Sequence, residues 1–219
     1  MRIVVVSVAL AVALLSVAAA GPAGIRATSS AYWTIRADAR MCPSPACGGF
    51  FARRVNQAVS VCADGKARRE CYVAALDLTP LRLPADARAG VQATLTRGGL
   101  ARGRLAVGYH GFAGLGRLVV SRAWRGVGMP GQEQLYRVVD TGLRCVTAPC
   151  FYLEATPLNG GSPISLSHLV LSPPGASQAQ IAKAEHLLDE SSLLVAGNVA
   201  KAEAGEGRTL VATAFYLPI

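Results

Sequence analysis

The 219-residue sequence is short of lysine, histidine and acid. It has 13 Asp+Glu and three His, and of 22 Lys+Arg only Lys66, Lys183 and Lys201 are lysines. No acidic run occurs, so little raw material exists for a multi-metal site. Neither G-x-S-x-G nor H-E-x-x-H is present. His110, His168 and His186 stand singly, with no carboxylate or nucleophile at a defensible spacing. No catalytic residue, metal ligand or cofactor is therefore assigned. Gly126-Val-Gly128-Met-Pro-Gly131 matches G-x-G-x-x-G, but it contains Pro130 and precedes a strand-like segment. A dinucleotide loop would open a helix, so this stretch reads as a linker. Charged residues are 16% and hydrophobic ones 52%, which excludes wholesale disorder.

No second apolar run approaches membrane-spanning length. The first one, residues 3–19, follows the single positive charge of Arg2 and ends in Ala18-Ala19-Ala20 before Gly21. Those flanks predict a secretory signal peptide over residues 1–20, with a membrane anchor as the alternative. The first cysteine is Cys42, so a lipid anchor on an N-terminal cysteine is excluded. Residues 21–31 are an N-terminal tail. The expected location is secreted or periplasmic.

The remaining chain repeats itself. Cys42-x4-Cys47 matches Cys145-x4-Cys150, and Val55-Asn56 matches Leu158-Asn159, at an offset of 103. Leu76-Asp-Leu-Thr-Pro80 matches Leu169-Val-Leu-Ser-Pro173; Leu100, Gly103 and Leu105 match Leu194, Gly197 and Val199. Residues 118–124 match residues 210–216. The later offsets are 93, 94 and 92, and all matches are collinear. The expected domains are repeat 1 (32–125), a linker (126–134) and repeat 2 (135–219). An extra excursion in the first copy carries Cys62 and Cys71.

Six cysteines allow 15 connectivities. The second copy has one pair, so Cys145–Cys150 is expected; repeat symmetry gives Cys42–Cys47, and Cys62–Cys71 remains. Each short loop contributes about 2–3 kcal/mol in the loop-entropy model. Zinc is the competing reading, opposed by oxidising export and by the lack of a flanking His.

Each copy reads β-β-β-α-β-β. Strands are expected over 32–40, 50–59, 72–78, 100–109 and 115–124, and over 135–143, 151–158, 164–171, 193–200 and 209–217. Pro84-Ala-Asp opens the first helix and Gly98-Gly99 ends it; Ser177 caps the second. Gly111, Gly114 and Gly116 mark one hairpin turn, Gly205 and Gly207 the other. The fold class is α+β with two tandem, disulfide-stapled units. The order is that of the OB-fold, so OB-like barrels are one expectation.

Charge is unevenly placed. Residues 32–125 carry 14 Arg and Lys66 against five acids, or +10; residues 136–219 carry five cations against seven acids, or −2. The basic unit could face an anionic partner such as an envelope polymer, or the acids of the other unit. The stapled loops 42–47 and 145–150 join strands one and two, an edge that binds ligands in OB-folds. Arg36, Arg40, Arg53 and Arg54 flank the first loop and are the candidate binding residues. Trp33, Trp124, Tyr136 and Tyr216 fall at matching positions and read as packing first.

The run Cys42-Pro-Ser-Pro-Ala-Cys47-Gly-Gly-Phe-Phe, with Val55-Asn56, Cys62-Ala-Asp-Gly, Cys71-Tyr-Val and Leu-Val-Val-Ser-Arg-Ala-Trp124, resembles a secreted bacterial domain family of unknown function from GC-rich, myxobacteria-like genomes. The second copy lacks counterparts of Cys62, Cys71 and Gly48-Gly49. The resemblance implies export and disulfides and brings no chemistry. The leading expectation is a non-catalytic binding or structural protein of the cell envelope or exterior. An inhibitor presenting disulfide-closed loops to secreted proteases is the alternative. A hydrolase with a spatially assembled site is a third reading. The partner is an anionic envelope component or a secreted protein, and nothing in the sequence names it.

Overall fold

The computed structural model describes residues 29–201 and 207–219. The expected signal peptide, most of the tail and Gly205 lie outside the described residues. The first half runs β1 (Ala31–Ala37), β2 (Phe50–Arg54), β3 (Ser60–Val61), β4 (Ala67–Arg68), β5 (Cys71–Val73) and β6 (Ala75–Asp77). A 3-10 turn over Thr79–Leu81, α1 (Ala85–Thr96), β7 (Leu100–Tyr109) and β8 (Phe112–Gly128) complete it. The second half runs β9 (Gln134–Asp140), β10 (Leu153–Pro157), β11 (Ile164–Leu166), β12 (His168–Val170), α2 (Gln178–Glu190), β13 (Leu193–Lys201) and β14 (Arg208–Pro218). The described residues are thus mostly β-sheet with two α-helices.

Local chemistry accounts for these elements. In β1, Ala31, Trp33 and Ile35 are buried while their neighbours are not, the period-two pattern of a half-buried strand. Ser177 caps α2 through a reciprocal capping box with Gln180. Gly98, at φ +97°, follows α1 in a conformation that side chains resist.

The strands form one 12-stranded sheet in the order β11-β10-β9-β13-β14-β8-β7-β1-β2-β5, with β12 on β14 and β6 on β8; β3 and β4 pair separately. β5 pairs with β2, and β6, after Ala74, pairs in parallel with β8. In the second half β11 pairs with β10, and β12, after Ser167, pairs in parallel with β14. No continuous strand closes a ring in either half, so the OB-like barrels expected as one possibility are not found as closed barrels. The units also share their sheet, because β14 pairs antiparallel with β8. Residues 126–128, read as linker, are the end of β8. Val127 is 5% exposed, so burial holds this segment in the sheet. A Cβ on Gly126 would lie 2.7 Å from Gly98 O, and one on Gly128 2.5 Å from Thr213 O. Glycine there serves close backbone approach.

Each half has its own apolar core, and a third cluster joins them through Val55, Leu100, Trp124, Leu135, Leu158, Leu194 and Tyr216. Burying such a side chain stabilises by roughly 1.5–3 kcal/mol. The disulfides are Cys42–Cys47, Cys62–Cys71 and Cys145–Cys150, with no free cysteine among the described residues. They fit an oxidising extracellular or periplasmic compartment. No helix among the described residues is long and apolar enough to cross a membrane.

Candidate functional site

Trp33, Ile35 and Ala52 point into the first core, so the alternate residues of β1 and β2 face outward. Thr34 lies opposite Arg53, Arg36 opposite Phe51, and Phe51 opposite Tyr72 of β5. This outer face interleaves cations and aromatics. The Arg36 guanidinium sits 4.1 Å from the Phe51 ring centroid; that of Arg40 lies 5.1 Å from Phe51 and 5.2 Å from Tyr72. Such contacts are worth about 0.5–1 kcal/mol at exposed sites.

Ion pairs order these groups. Arg36 Nε donates to both Glu70 oxygens at 3.2 and 3.1 Å, and Nη2 donates to Oε2 at 2.7 Å. Arg40 grips Asp38 in the same forked way and donates from Nη2 to Ala46 O at 3.2 Å. Tyr72 Oη donates to Pro45 O at 2.8 Å and accepts from Gly49 N at 3.2 Å. Arg40 and Tyr72 therefore pin the first stapled loop to the sheet. A concavity of 320 Å³ opens beside them, lined in part by Asp64, Arg68, Glu70 and Phe51. Arg68 holds the Asp64 carboxyl down at about 2 through its side-chain hydrogen bonds. Arg36 likewise lowers Glu70, and Arg40 lowers Asp38.

The four candidate arginines do not form one set. Arg36 and Arg53 share the outer face, and Arg40 reaches it from the loop. Arg54 lies on the inner side opposite Trp33, 5.8 Å from that ring, with its Nε buried and unbonded among the described residues. Arg53 makes no ion pair among the described residues, although its charge acts on Glu70, as does that of Arg69. Sequence reading missed Phe51, Tyr72 and Glu70. Alternation from the half-buried Cys71-Tyr-Val73 strand was a usable signal for Tyr72.

The second half shows what the fold itself requires. At the same register Val139 lies opposite Glu154, and Glu154 opposite Ser165. Val139, Leu143, Glu154, Thr156 and Ser165 stand where the first half has Arg36, Arg40, Phe51, Arg53 and Tyr72. The strands pair alike without the arginines and rings, so the basic, aromatic face is not needed to build the sheet.

The two halves are matched together by one family model, described as Domain of unknown function (DUF6748), over residues 31–219. The chain belongs to that family. No curated protein and no solved structure matches it. The match spans both the basic face and its plain counterpart. His110 occupies a turn at φ 45°, His168 lies in β12, and His186 of α2 meets Glu190 at 3.3 Å. No group of three or more His, Cys, Asp or Glu residues suited to a metal occurs among the described residues.

Proposed function

We propose that this is an exported, non-catalytic binding protein that holds an anionic polymer on the outer face of β1, β2 and β5. One observation carries the reading: Arg36, Arg40, Phe51, Arg53 and Tyr72 are gathered there, and the equivalent face of the second half has none of them. Of the described cations whose charge acts on Glu70, Arg53 and Arg69 make no ion pair among the described residues, so they engage the polymer first. Export rests on the apolar N-terminal segment and the disulfides. We read the halves as duplicated units with OB-type connectivity, in which the face of strands two and three and the loop between strands one and two hold extended ligands.

The test is elution of the full mature chain from immobilised heparin in rising salt. Arg53→Gln with Arg69→Gln should elute at clearly lower salt than wild type, and Lys183→Gln in the second half should not. Wild-type protein passing through at low salt, or co-elution of the double variant with wild type, would overturn the proposal.

The protease-inhibitor reading comes second. Most residues of both stapled loops are exposed. Against it, Ala46 N and Cys47 N both donate to Pro43 O, so the first loop is a tight turn and not an extended backbone. Absence of inhibition at micromolar protein across serine, cysteine and metalloproteases would end that reading.

A further inference from the structure

The hollow beneath the second stapled loop measures 580 Å³ and is lined by Val146, Ala148, Pro149, Tyr152, Ser167 and His168, together with the disulfide. Its first-half counterpart shows what such a space accommodates. There the Tyr72 ring reaches the loop, and its hydroxyl is held between Pro45 O and Gly49 N. The residues at the same spacing in the second half are Ala148 and Tyr152, and both line the hollow. The strand position of Tyr72 is taken by Ser165.

Two substitutions open the space. A Cβ at Gly49 would collide with Val73 O and lie 2.8 Å from Tyr72 Oη, so the first loop can sit tight only on glycine. Tyr152 at the matching position cannot be seated that close. Accordingly Cys47 is buried, whereas Cys150 is half-buried and residues 141–149 are all exposed. The exchange of Tyr72 for Ser165 leaves no ring at that strand position, and the ring that borders the hollow is that of Tyr152. The Ala148 carbonyl and the Tyr152 N–H make no hydrogen bond among the described residues. In the first half the same pair of backbone groups holds a phenol hydroxyl.

We propose that this hollow is a binding site for a phenolic ring. The ring lies against Val146, Pro149 and the disulfide, and its hydroxyl donates to Ala148 O and accepts from Tyr152 N–H. A neutral phenol meets that demand, because its hydroxyl both donates and accepts. The ring can come from a small phenolic molecule or from a tyrosyl side chain.

The experiment is a titration of the full mature chain with p-cresol, followed by amide chemical shifts. Residues 146–152, 167 and 168 should shift saturably, with a dissociation constant of about millimolar order for so small a ligand. Toluene, lacking the hydroxyl, should bind several-fold more weakly. Ser165→Tyr should fill the site from within and weaken p-cresol binding at least tenfold. A capped Gly-Tyr-Gly peptide runs in parallel. Tighter binding of the peptide assigns the ring to a protein partner, and weaker binding assigns it to a small molecule. No saturable shift, equal binding of toluene and p-cresol, or full binding by a folded Ser165→Tyr variant would each overturn the site.

Discussion

Asn56 and Asn159 each hold the other half of the molecule through the same three hydrogen bonds. Asn56 Nδ2 donates to Leu135 O at 2.7 Å and Leu158 O at 3.0 Å, and its Oδ1 accepts from Leu135 N at 2.9 Å. Asn159 Nδ2 donates to Tyr32 O at 2.8 Å and Val55 O at 3.0 Å, and its Oδ1 accepts from Tyr32 N at 2.7 Å. Both have positive φ, 56° and 63°, which asparagine tolerates better than most residues. The β8–β14 ladder joins the halves as well, with Gly126 opposite Tyr216 at its centre.

Asn56→Gly should destabilise the protein by about 2–4 kcal/mol, because glycine keeps the left-handed backbone but leaves Leu135 N–H and two carbonyls unpaired. At this chain length that lowers Tm by roughly 5–15 °C. Asn159→Gly should cost about as much. Calorimetry of both variants checks this, and a loss below about 1 kcal/mol in either would show that water replaces the amide without penalty.

The asparagine pair also shows where sequence reading stops. The spacing of Val55-Asn56 and Leu158-Asn159 was visible, but the contact it makes spans about a hundred residues and leaves no local pattern. Element order was legible because period-two burial, the Ser177 cap and the proline stops are local signals. The cysteine pairing was legible because the second half holds a single pair, Cys145 and Cys150, whose spacing recurs at Cys42 and Cys47 and leaves Cys62 with Cys71. The union of the halves was not, since Gly126 and Gly128 resemble a linker until a neighbouring strand is known to require their bare backbone. Arg53 and Arg54 look equivalent as adjacent letters, and strand alternation sends them to opposite faces.

Gly103 and Gly197 sit at matching β-bulges, where the ladder slips between Arg102 and Gly103 and between Ala196 and Gly197. A Cβ at either would collide with a strand carbonyl, Val119 O or Val211 O. Backbone oxygen cannot swing aside as a side chain can. Gly197→Ala and Gly103→Ala should each cost at least about 2 kcal/mol, as overpacking does. Urea titration gives the value, and near-neutral variants would mean that the bulge relaxes freely.

Tyr216 is 1% exposed, and its hydroxyl has no hydrogen-bond partner among the described residues. Burial pushes this phenol up to about 12. An unpaired buried hydroxyl is a cost, so Tyr216→Phe should be neutral or stabilise by about 1 kcal/mol. Thermal unfolding at neutral pH tests this; a clear loss of stability would mean that a buried water pairs with the hydroxyl.

Acid should weaken the fold in a defined window. Asp64 titrates at about 2 in the folded protein because Arg68 hydrogen-bonds its carboxylate, against 3.8 for the free side chain. Between those values the folded state keeps Asp64 ionised while the unfolded state takes up a proton. Stability therefore rises with pH across the window: it is full above about pH 5 and lost as pH falls through about 2. Glu70, Asp38 and Asp140 are lowered for the same reason, by Arg36, Arg40 and Arg144, and act in the same direction. Arg68→Gln removes the Asp64 part, so its stability should fall less steeply between about pH 5 and 2 than that of wild type. The two curves should converge at the acid end, where Asp64 is protonated with or without its partner. Because the pair is solvent-facing, about 1 M salt should narrow the gap as well. Urea unfolding at three pH values for both proteins measures the slopes. Parallel curves would mean that the Arg68 contact contributes nothing to the folded state.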